Sequence, residues 1–285
     1  MSSTANPLSM YMRQPKIYIR LPSNGAFWPE DSLDISETGE YPVYSMTAKD
    51  ELMLKVPDAL MNGQAVVDVI QHCMPNIRNA WNTPNLDLDM ILIAIRLATY
   101  GEMMTTPIKF GNDLELEYQV DLRLIMDSLM NQITWIDTIP VSEELTIFVR
   151  PLTYRQISTA AIKTFETQKL MQMVNNKEIN DDDKVKMFRE SFKTLSDATL
   201  GTISDSIGRI DSIHGSTEDP DHIKEFVENI DKEIFNNIQK HLESLRDINA
   251  IKPMIVAVTD EMRAKGVTGE TVEVPITFDP STFFV

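Results

Sequence analysis

The sequence predicts an α+β protein that is predominantly helical, with a long antiparallel helical hairpin and small β-hairpins. Three observations lead to this prediction. Two long stretches carry apolar residues at steps of three and four, the period of an amphipathic helix. Several short stretches between turn signals alternate apolar and polar residues, as strands do. Glycine is scarce, 10 residues in 285, and methionine is plentiful at 17, which favours helices packed through adaptable apolar surfaces.

The composition indicates an acidic globular protein whose partners are other proteins. Hydrophobic residues make up 42% of the chain, which is enough for a sizeable core. The formal charge of -17, from 43 acidic and 26 basic residues, argues against nucleic acid and against an anionic membrane as partners. A single cysteine, Cys73, excludes an intrachain disulfide and suits a reducing compartment. With no targeting segment and no long apolar run, a cytosolic protein is expected.

The chain is predicted to have three parts: a flexible N-terminal arm over residues 1–15, an N-terminal α+β half over residues 16–140 and a C-terminal half over residues 141–285. The N-terminal half opens with the alternating strand "KIYIRL" and a second strand, "EYPVYSM". A helix then begins at Ala48, because Thr47 and Asp50 have the spacing of a capping box.

The rest of the N-terminal half is predicted to contain a central helix and a β-hairpin. The stretch "LDLDMILIAIRLATYG" is apolar nearly all round and ends in Gly101, as a buried helix with a glycine after its last turn would. Arg96 within it could orient a substrate anion, but pairing with a carboxylate such as Asp87 or Asp89 is expected. "TPIKFGNDLELEYQV" alternates on both sides of Gly-Asn-Asp, which predicts a β-hairpin.

A helical hairpin over residues 183–246 is predicted to dominate the C-terminal half. Its first helix runs from Asp183 to Ile213 and its second from His222 to Leu245. The apolar stripe of the first helix is Val185, Phe188, Phe192, Leu195, Thr199, Ile203, Ile207, Ile210 and Ile213. "INAIKPMIVAV" and "TVEVPITF" then predict a terminal β-hairpin.

The sequence predicts no catalytic residue, no metal site and no cofactor. The four histidines have no recognised metal-ligand spacing, and no nucleotide-binding or hydrolase motif is present. Cys73 and its neighbour His72 point about 100° apart on a helix, so a buried cysteine is expected rather than a nucleophile with its base. The run Asp181–Asp183 resembles a metal cluster in composition only, and suits the N-terminal turn of the helix that follows.

Apolar residues near both ends of the sequence are the candidates for partner binding. Chain termini usually fray, so aromatic residues in the last positions predict a terminus that docks on its own core or on another chain. The candidates are Leu21, Pro22, Phe27, Trp28, Pro29, Phe278, Pro280, Phe283 and Phe284.

Six motifs occur in an order that resembles the T4-type phage baseplate hub and assembly protein family. They are "IRLPSNGAFWP", "YSMTAKDELMLKVPDALMNGQAVVDVIQHCMP", "ILIAIRLATYG", "LTIFVRPLTYRQI", "IKEFVENID" and "PITFDPSTFF", and they cover the chain from about Ile17 onwards. The resemblance implies a structural subunit or assembly factor of the baseplate hub of a contractile-tail phage, with protein partners and no catalysis. It also implies location in the virion tail baseplate, and in the host cytoplasm during assembly, with self-association in the baseplate left open.

The sequence departs from the family pattern at one point. Many relatives carry a Cys-x-x-Cys pair after the "ATYG" turn and another before "FDPxxFF", which together suit one zinc ion, whereas this chain has no cysteine in either stretch. No metal is therefore expected. The hairpins at residues 106–120 and 254–278 are expected to form one small mixed sheet, zinc-ribbon-like without its metal. Its inward-facing residues would be Leu114, Leu116, Val272, Val274 and Ile276.

Two alternatives remain at this point. Within the same family, the protein could be a transient chaperone of hub assembly that is absent from the mature virion. In a different class, it could be a small acidic hydrolase or nucleotide-dependent factor that uses acidic residues such as Asp181–Asp183.

Overall fold

The computed structural model describes residues 12–56, 62–110, 114–132, 134–174, 180–274 and 283. The fold is mixed α/β, with helices over about half of the chain and small antiparallel sheets. Most of the predicted arm, residues 1–11, lies outside the described residues. Within the described part of the chain, none of the helices has the length and hydropathy needed to cross a bilayer.

The N-terminal half is built around one buried helix. Its elements are β1 (Pro15–Ile19), β2 (Tyr41–Tyr44), α1 (Ala48–Leu54), α2 (Gln64–Cys73), a short 3-10 helix (Ala80–Asn82), α3 (Asn85–Tyr100), β3 (Met103–Phe110), β4 (Leu114–Asp121) and α4 (Leu122–Gln132). The predicted capping box is present at α1, where Thr47 and Asp50 bond each other's backbone N–H. The central helix α3 ends before Gly101, which has a φ of 94°.

The C-terminal half combines a four-stranded antiparallel sheet with five helices in the described residues. Its elements are β5 (Thr138–Ser142), β6 (Leu145–Val149), α5 (Tyr154–Val174), α6 (Asp181–Asp205), β7 (Ile207–Ser212), β8 (Gly215–Thr217), α7 (Pro220–Asn229), α8 (Lys232–Asn249), β9 (Met254–Ala257), α9 (Asp260–Ala264) and β10 (Thr271–Val274). The sheet has the strand order β5-β6-β7-β8.

The helical hairpin predicted over residues 183–246 is wrong, because its first helix ends earlier than predicted and its second helix is divided in two. The first helix ends at Asp205, and Ile207 and Ile210 lie in strand β7, where Ile210 pairs with Ile147 of β6. The second predicted helix is two helices, because the Asp231 side chain accepts from two backbone N–H groups and starts α8 afresh. The neighbour of α6 along its length is α5, which precedes it in the chain, so the observed helical hairpin is α5–α6.

Two hydrophobic clusters form the main cores. The first surrounds α3 and collects side chains from β1 through α4. The second lies between the four-stranded sheet and helices α6 to α8, and its buried members are Ile139, Ile147, Val149, Ile203, Ile207, Ile210, Ile223, Val227, Ile238 and Leu245.

The single mixed sheet expected from the two hairpins is also wrong. Strands β3 and β4 pair with each other, and so do β9 and β10, which leaves two separate two-stranded antiparallel sheets. The two ribbons still meet, because Tyr118 of β4 packs against Val256 and Val274. Val274 is fully buried and Val272 half-buried, while Ile276 and the side chains of Leu114 and Leu116 lie outside the described residues.

Candidate interaction surfaces

The first group of predicted partner-binding residues, between Leu21 and Pro29, follows β1 and is held against α3 by hydrogen bonds. Leu21 is buried in the first core. Asp87 accepts hydrogen bonds from the Ser23 backbone N–H at 2.8 Å, from the Ser23 hydroxyl at 2.5 Å and from Trp28 Nε1 at 2.7 Å. Burial raises the pKa of the Asp87 carboxyl, and the hydrogen bonds from Ser23 and Trp28 offset part of that rise.

The neighbouring residues of this group reach towards the second core. The ring of Phe27 lies edge-on to Trp135, with 5.8 Å between centroids and 62° between planes. Trp135 in turn packs against the second hydrophobic cluster. Pro22 is half-buried, and Pro29 is exposed.

The C-terminal candidate Phe283 is buried in the first core with only 3% of its surface exposed. Arg96 Nη1 donates a hydrogen bond to the Phe283 carbonyl, and the guanidinium lies 5.2 Å from the centroids of the Phe283 and Tyr100 rings. The expectation that Arg96 pairs with Asp87 or Asp89 is therefore wrong. Phe278, Pro280 and Phe284 lie outside the described residues.

Four of the predicted residues that the structure describes make contacts inside the chain. Leu21, Trp28 and Phe283 hold segments onto α3, and Phe27 bridges towards the second core. Their role in binding a partner stays a prediction.

An exposed apolar row on α6 is the surface that the sequence pattern did not identify. Val185, Phe188 and Phe192 are 51%, 55% and 62% exposed, although they belong to the stripe that predicted a buried face. Their spacing of three and four residues places them on one side of the helix. Another face of α6 is turned inwards, since Ser191 is fully buried. We call Val185, Phe188 and Phe192 the apolar row.

A basic row runs beside the apolar row. Each apolar side chain is followed by a cation, so Lys186, Arg189 and Lys193 repeat the same spacing one residue later, about 100° around the helix. All three are exposed. Within the described part of the chain, no carboxylate lies within ion-pairing distance of any of them. The repeated order of apolar residue and cation was visible in the sequence and could have marked this surface.

The polar cluster around Asp50 has a structural role. Asp50 Oδ1 lies 2.6 Å from His72 Nδ1, and Oδ2 accepts from the Thr47 backbone N–H at 2.6 Å. Burial favours the neutral acid, but the bonds from Thr47 and His72 outweigh it and lower the pKa of Asp50. Arg13 donates to the carbonyls of Ser45 and His72, which ties the start of β1 to α2.

Cys73 is buried, as the sequence predicts. Burial raises the pKa of its thiol to about 11, so the nucleophilic thiolate is scarce at neutral pH. The Asp181–Asp183 run forms the first turn of α6, as expected, although the capping side chain is Asn180, which accepts from the Asp183 backbone N–H at 2.8 Å. Among the described residues, no three His, Cys, Asp or Glu side chains are grouped so that they could hold a metal ion.

A cavity of about 680 Å³ lies between α3, α6 and α8. Its lining mixes apolar side chains with Asp89, Arg150, Glu243 and Arg246. Burial raises the pKa of Asp89 to about 6.

Comparison with known proteins identifies the family. No curated protein and no solved structure matches the chain significantly. The sequence model of the family described as T4 bacteriophage base plate protein matches residues 15–260, which is most of the chain. The chain therefore belongs to the T4 bacteriophage base plate protein family.

Proposed function

We propose that this base plate protein is a structural or assembly subunit of the baseplate hub of a contractile-tail phage, and that it acts through protein–protein contacts without catalysis. Membership of the family places it in the tail baseplate of the virion. The hub position and the mode of action are the proposed parts, and they draw on the order of motifs and on the surface of α6.

The apolar row carries this proposal. Two phenylalanines and a valine, each more than half exposed, lie side by side on a helix of an acidic protein. Apolar side chains left in water lose the stabilisation of burial, about 1.5–3 kcal/mol for a side chain of this size. Adjacent exposed apolar residues bordered by charges are typical of a surface that another protein covers.

The surroundings of the reactive groups support a role without catalysis. Cys73 and Asp87 are buried, and Asp87 and Asp50 hold neighbouring segments through hydrogen bonds. Their pKa shifts follow from burial and from these structural bonds. They need no substrate to explain them.

Co-purification from infected cells tests the proposal. The tagged wild-type protein should retain hub proteins under native conditions. The double variant F188S/F192S should lose them while keeping its circular dichroism spectrum, because both side chains are exposed. Phe165→Ser on α5 is the matched control, since Phe165 is 44% exposed but lies outside the apolar row.

Two outcomes would contradict the proposal. If no hub component binds the wild-type protein, the hub assignment fails. If F188S/F192S retains every partner, the contacts do not use the apolar row.

The alternative of a transient chaperone makes the same contacts but predicts a different fate. Mass spectrometry of purified virions distinguishes the two. The protein is found in mature particles if it is a structural subunit. It is found only in assembly intermediates if it is a chaperone.

A further inference from the structure

We propose that copies of this protein associate head to tail, with the apolar and basic rows of α6 in one copy seated on an acidic loop of the next copy. The acidic loop is defined as residues 30–40. This inference rests on the proposed function, because it names a second copy of the chain as an occupant of the α6 surface through which that function is proposed to act.

The acidic loop carries negative charge and an exposed apolar side chain, which complement the basic row and the apolar row of α6. Residues 21–48 contain no Lys or Arg, and five carboxylates fall within the loop: Glu30, Asp31, Asp34, Glu37 and Glu40. Ile35 stands among them with 74% of its surface exposed, the highest value for a large hydrophobic residue in the described part of the chain. An exposed isoleucine with carboxylates before and after it in the loop is complementary, in charge and in apolar character, to exposed phenylalanines bordered by cations.

The loop is held in place, so it can present these groups without a large cost in ordering. The Asp34 backbone N–H donates to the Asn76 carbonyl at 2.8 Å, and the Asp34 carboxylate pairs with Arg78 at 2.6 Å. Leu33 forms a β-bridge with Ile77. Preorganised segments lose less conformational entropy when they bind.

Three carboxylates of the loop are free to meet the basic row. Asp34 is paired with Arg78 and Glu40 with Arg20. Glu30, Asp31 and Glu37 are exposed, and among the described residues no Lys, Arg or His lies within ion-pairing distance of them. The loop therefore offers exposed carboxylates to the cations Lys186, Arg189 and Lys193, although Asp31 also interacts electrostatically with Arg78.

The local charge of the two rows suits an acidic loop, although α6 as a whole is not basic. Residues 185–193, which span both rows, carry three basic residues and one acidic residue, whereas the whole chain has 26 and 43. Elsewhere two copies repel each other through their net charge of -17. At about 0.1 M salt the Debye length is about 10 Å. Salt therefore weakens the long-range repulsion between copies more than it weakens contacts between adjacent opposite charges.

The proposed contact joins two different surfaces of the same chain. Within the described residues, neither a hydrogen bond nor an ion pair joins the acidic loop to α6. A pair of copies would therefore keep one free α6 surface, on one copy, and one free loop, on the other. Such a heterologous contact propagates into a ring or an open chain of copies.

Sedimentation velocity of the purified full-length protein tests the proposal. At about 0.1 M salt the average mass should rise above the 32.4 kDa monomer as the concentration increases to about 100 µM. The row-reversed variant R189E/K193E and the loop-reversed variant E30K/E37K should each stay monomeric, since each then opposes like charges. The control K240E/K252E changes the net charge by the same amount as R189E/K193E, at exposed lysines outside both surfaces, and should associate like the wild type.

Mixing the two reversed variants gives the sharpest result. In an equimolar mixture the acidic row of one variant faces the basic loop of the other, and the unmodified basic row faces the unmodified acidic loop. Association should return to the mixture although neither variant associates alone. Circular dichroism of each variant confirms that the fold is retained.

Three results would overturn the proposal: a monomeric wild type over the whole range, a row-reversed variant that associates like the wild type, or a mixture that stays monomeric. A monomeric wild type that still retains hub proteins overturns only the self-association. If the row-reversed variant then loses those proteins, the α6 surface binds an acidic protein other than a second copy.

Discussion

Asp87 and Asp89 lie two residues apart on α3, and burial raises the pKa of both carboxyls, but their hydrogen bonding differs. Asp87 receives three hydrogen bonds from Ser23 and Trp28. Asp89 faces the cavity beside α3, and no hydrogen bond to it is formed among the described residues. The sequence shows two acids in an apolar helix. It could not show which acid meets donors, because Ser23 and Trp28 are 64 and 59 residues away from Asp87.

Asp89→Asn should stabilise the protein at neutral pH. The unfolded carboxyl titrates near about 3.9, whereas burial raises the folded pKa to about 6. Between these values the folded state binds more protons, so the free energy of unfolding falls as pH rises through this window. The variant should gain little near pH 4 and about 2 kcal/mol at pH 7, measured by urea unfolding.

Asp87→Asn is the control for that experiment. Its amide cannot accept all three donors, so it should lower the free energy of unfolding at neutral pH. A gain for Asp89→Asn that is independent of pH would contradict the assigned pKa.

Arg96 shows the limit of residue-level inference. The sequence identified a cation that needs a partner in a buried helix, and that much is correct. Its partner is the backbone carbonyl of Phe283, 187 residues further along the chain, with two aromatic rings beside the guanidinium. A backbone carbonyl carries no signature in the sequence, so the pattern pointed to a carboxylate side chain instead.

Helix α6 shows what periodicity can and cannot predict for an element. Steps of three and four residues correctly predicted a helix from Asp183 onwards. The same spacing did not reveal that Val185, Phe188 and Phe192 face solvent, because the choice of face depends on α5. The spacing also placed the end of the helix too late in the chain. Ile207 and Ile210 continue the spacing but pair with β6, which is about 60 residues earlier in the chain.

The packing of α6 on α5 predicts a stabilising substitution. Ser191 is fully buried, and its hydroxyl finds no hydrogen-bond partner among the described residues. Ser191→Ala removes this unsatisfied group and improves helix propensity, so it should raise the free energy of unfolding by about 1 kcal/mol. Ser191→Leu should lower it instead, because a larger side chain at a fully buried position forces its neighbours apart. Equal stability of the two variants in thermal unfolding would contradict this packing.

At the scale of the whole molecule, the first core is completed from the far end of the sequence. Its members come from β1 through α4, and Phe283 joins them beside Arg96. Composition correctly predicted a mixed fold with a large core and many helices. The motif order correctly identified a T4-type baseplate protein. Neither could show that both ends of the sequence share a core, because that contact depends on the path of the whole chain.

Phe283→Ala should destabilise the N-terminal half although Phe283 lies far from it in sequence. The lost apolar contacts and the cavity left behind should cost about 3 kcal/mol. Hydrogen exchange should show faster exchange of the α3 amides. Phe165→Ala is the control, since Phe165 is 44% exposed and should change stability little. Unchanged protection of α3 would show that the Phe283 contact is not needed for the core.

The position of Phe283 also sets the order in which the protein can mature on the ribosome. Arg96 is synthesised 187 residues before its partner. At about 5–20 residues per second, roughly 10–40 s pass before the carbonyl of residue 283 exists. During that interval the N-terminal half lacks a buried side chain of its core. Completion of the fold therefore coincides with the end of translation of this segment, and chaperones that bind exposed apolar surface have that interval in which to act.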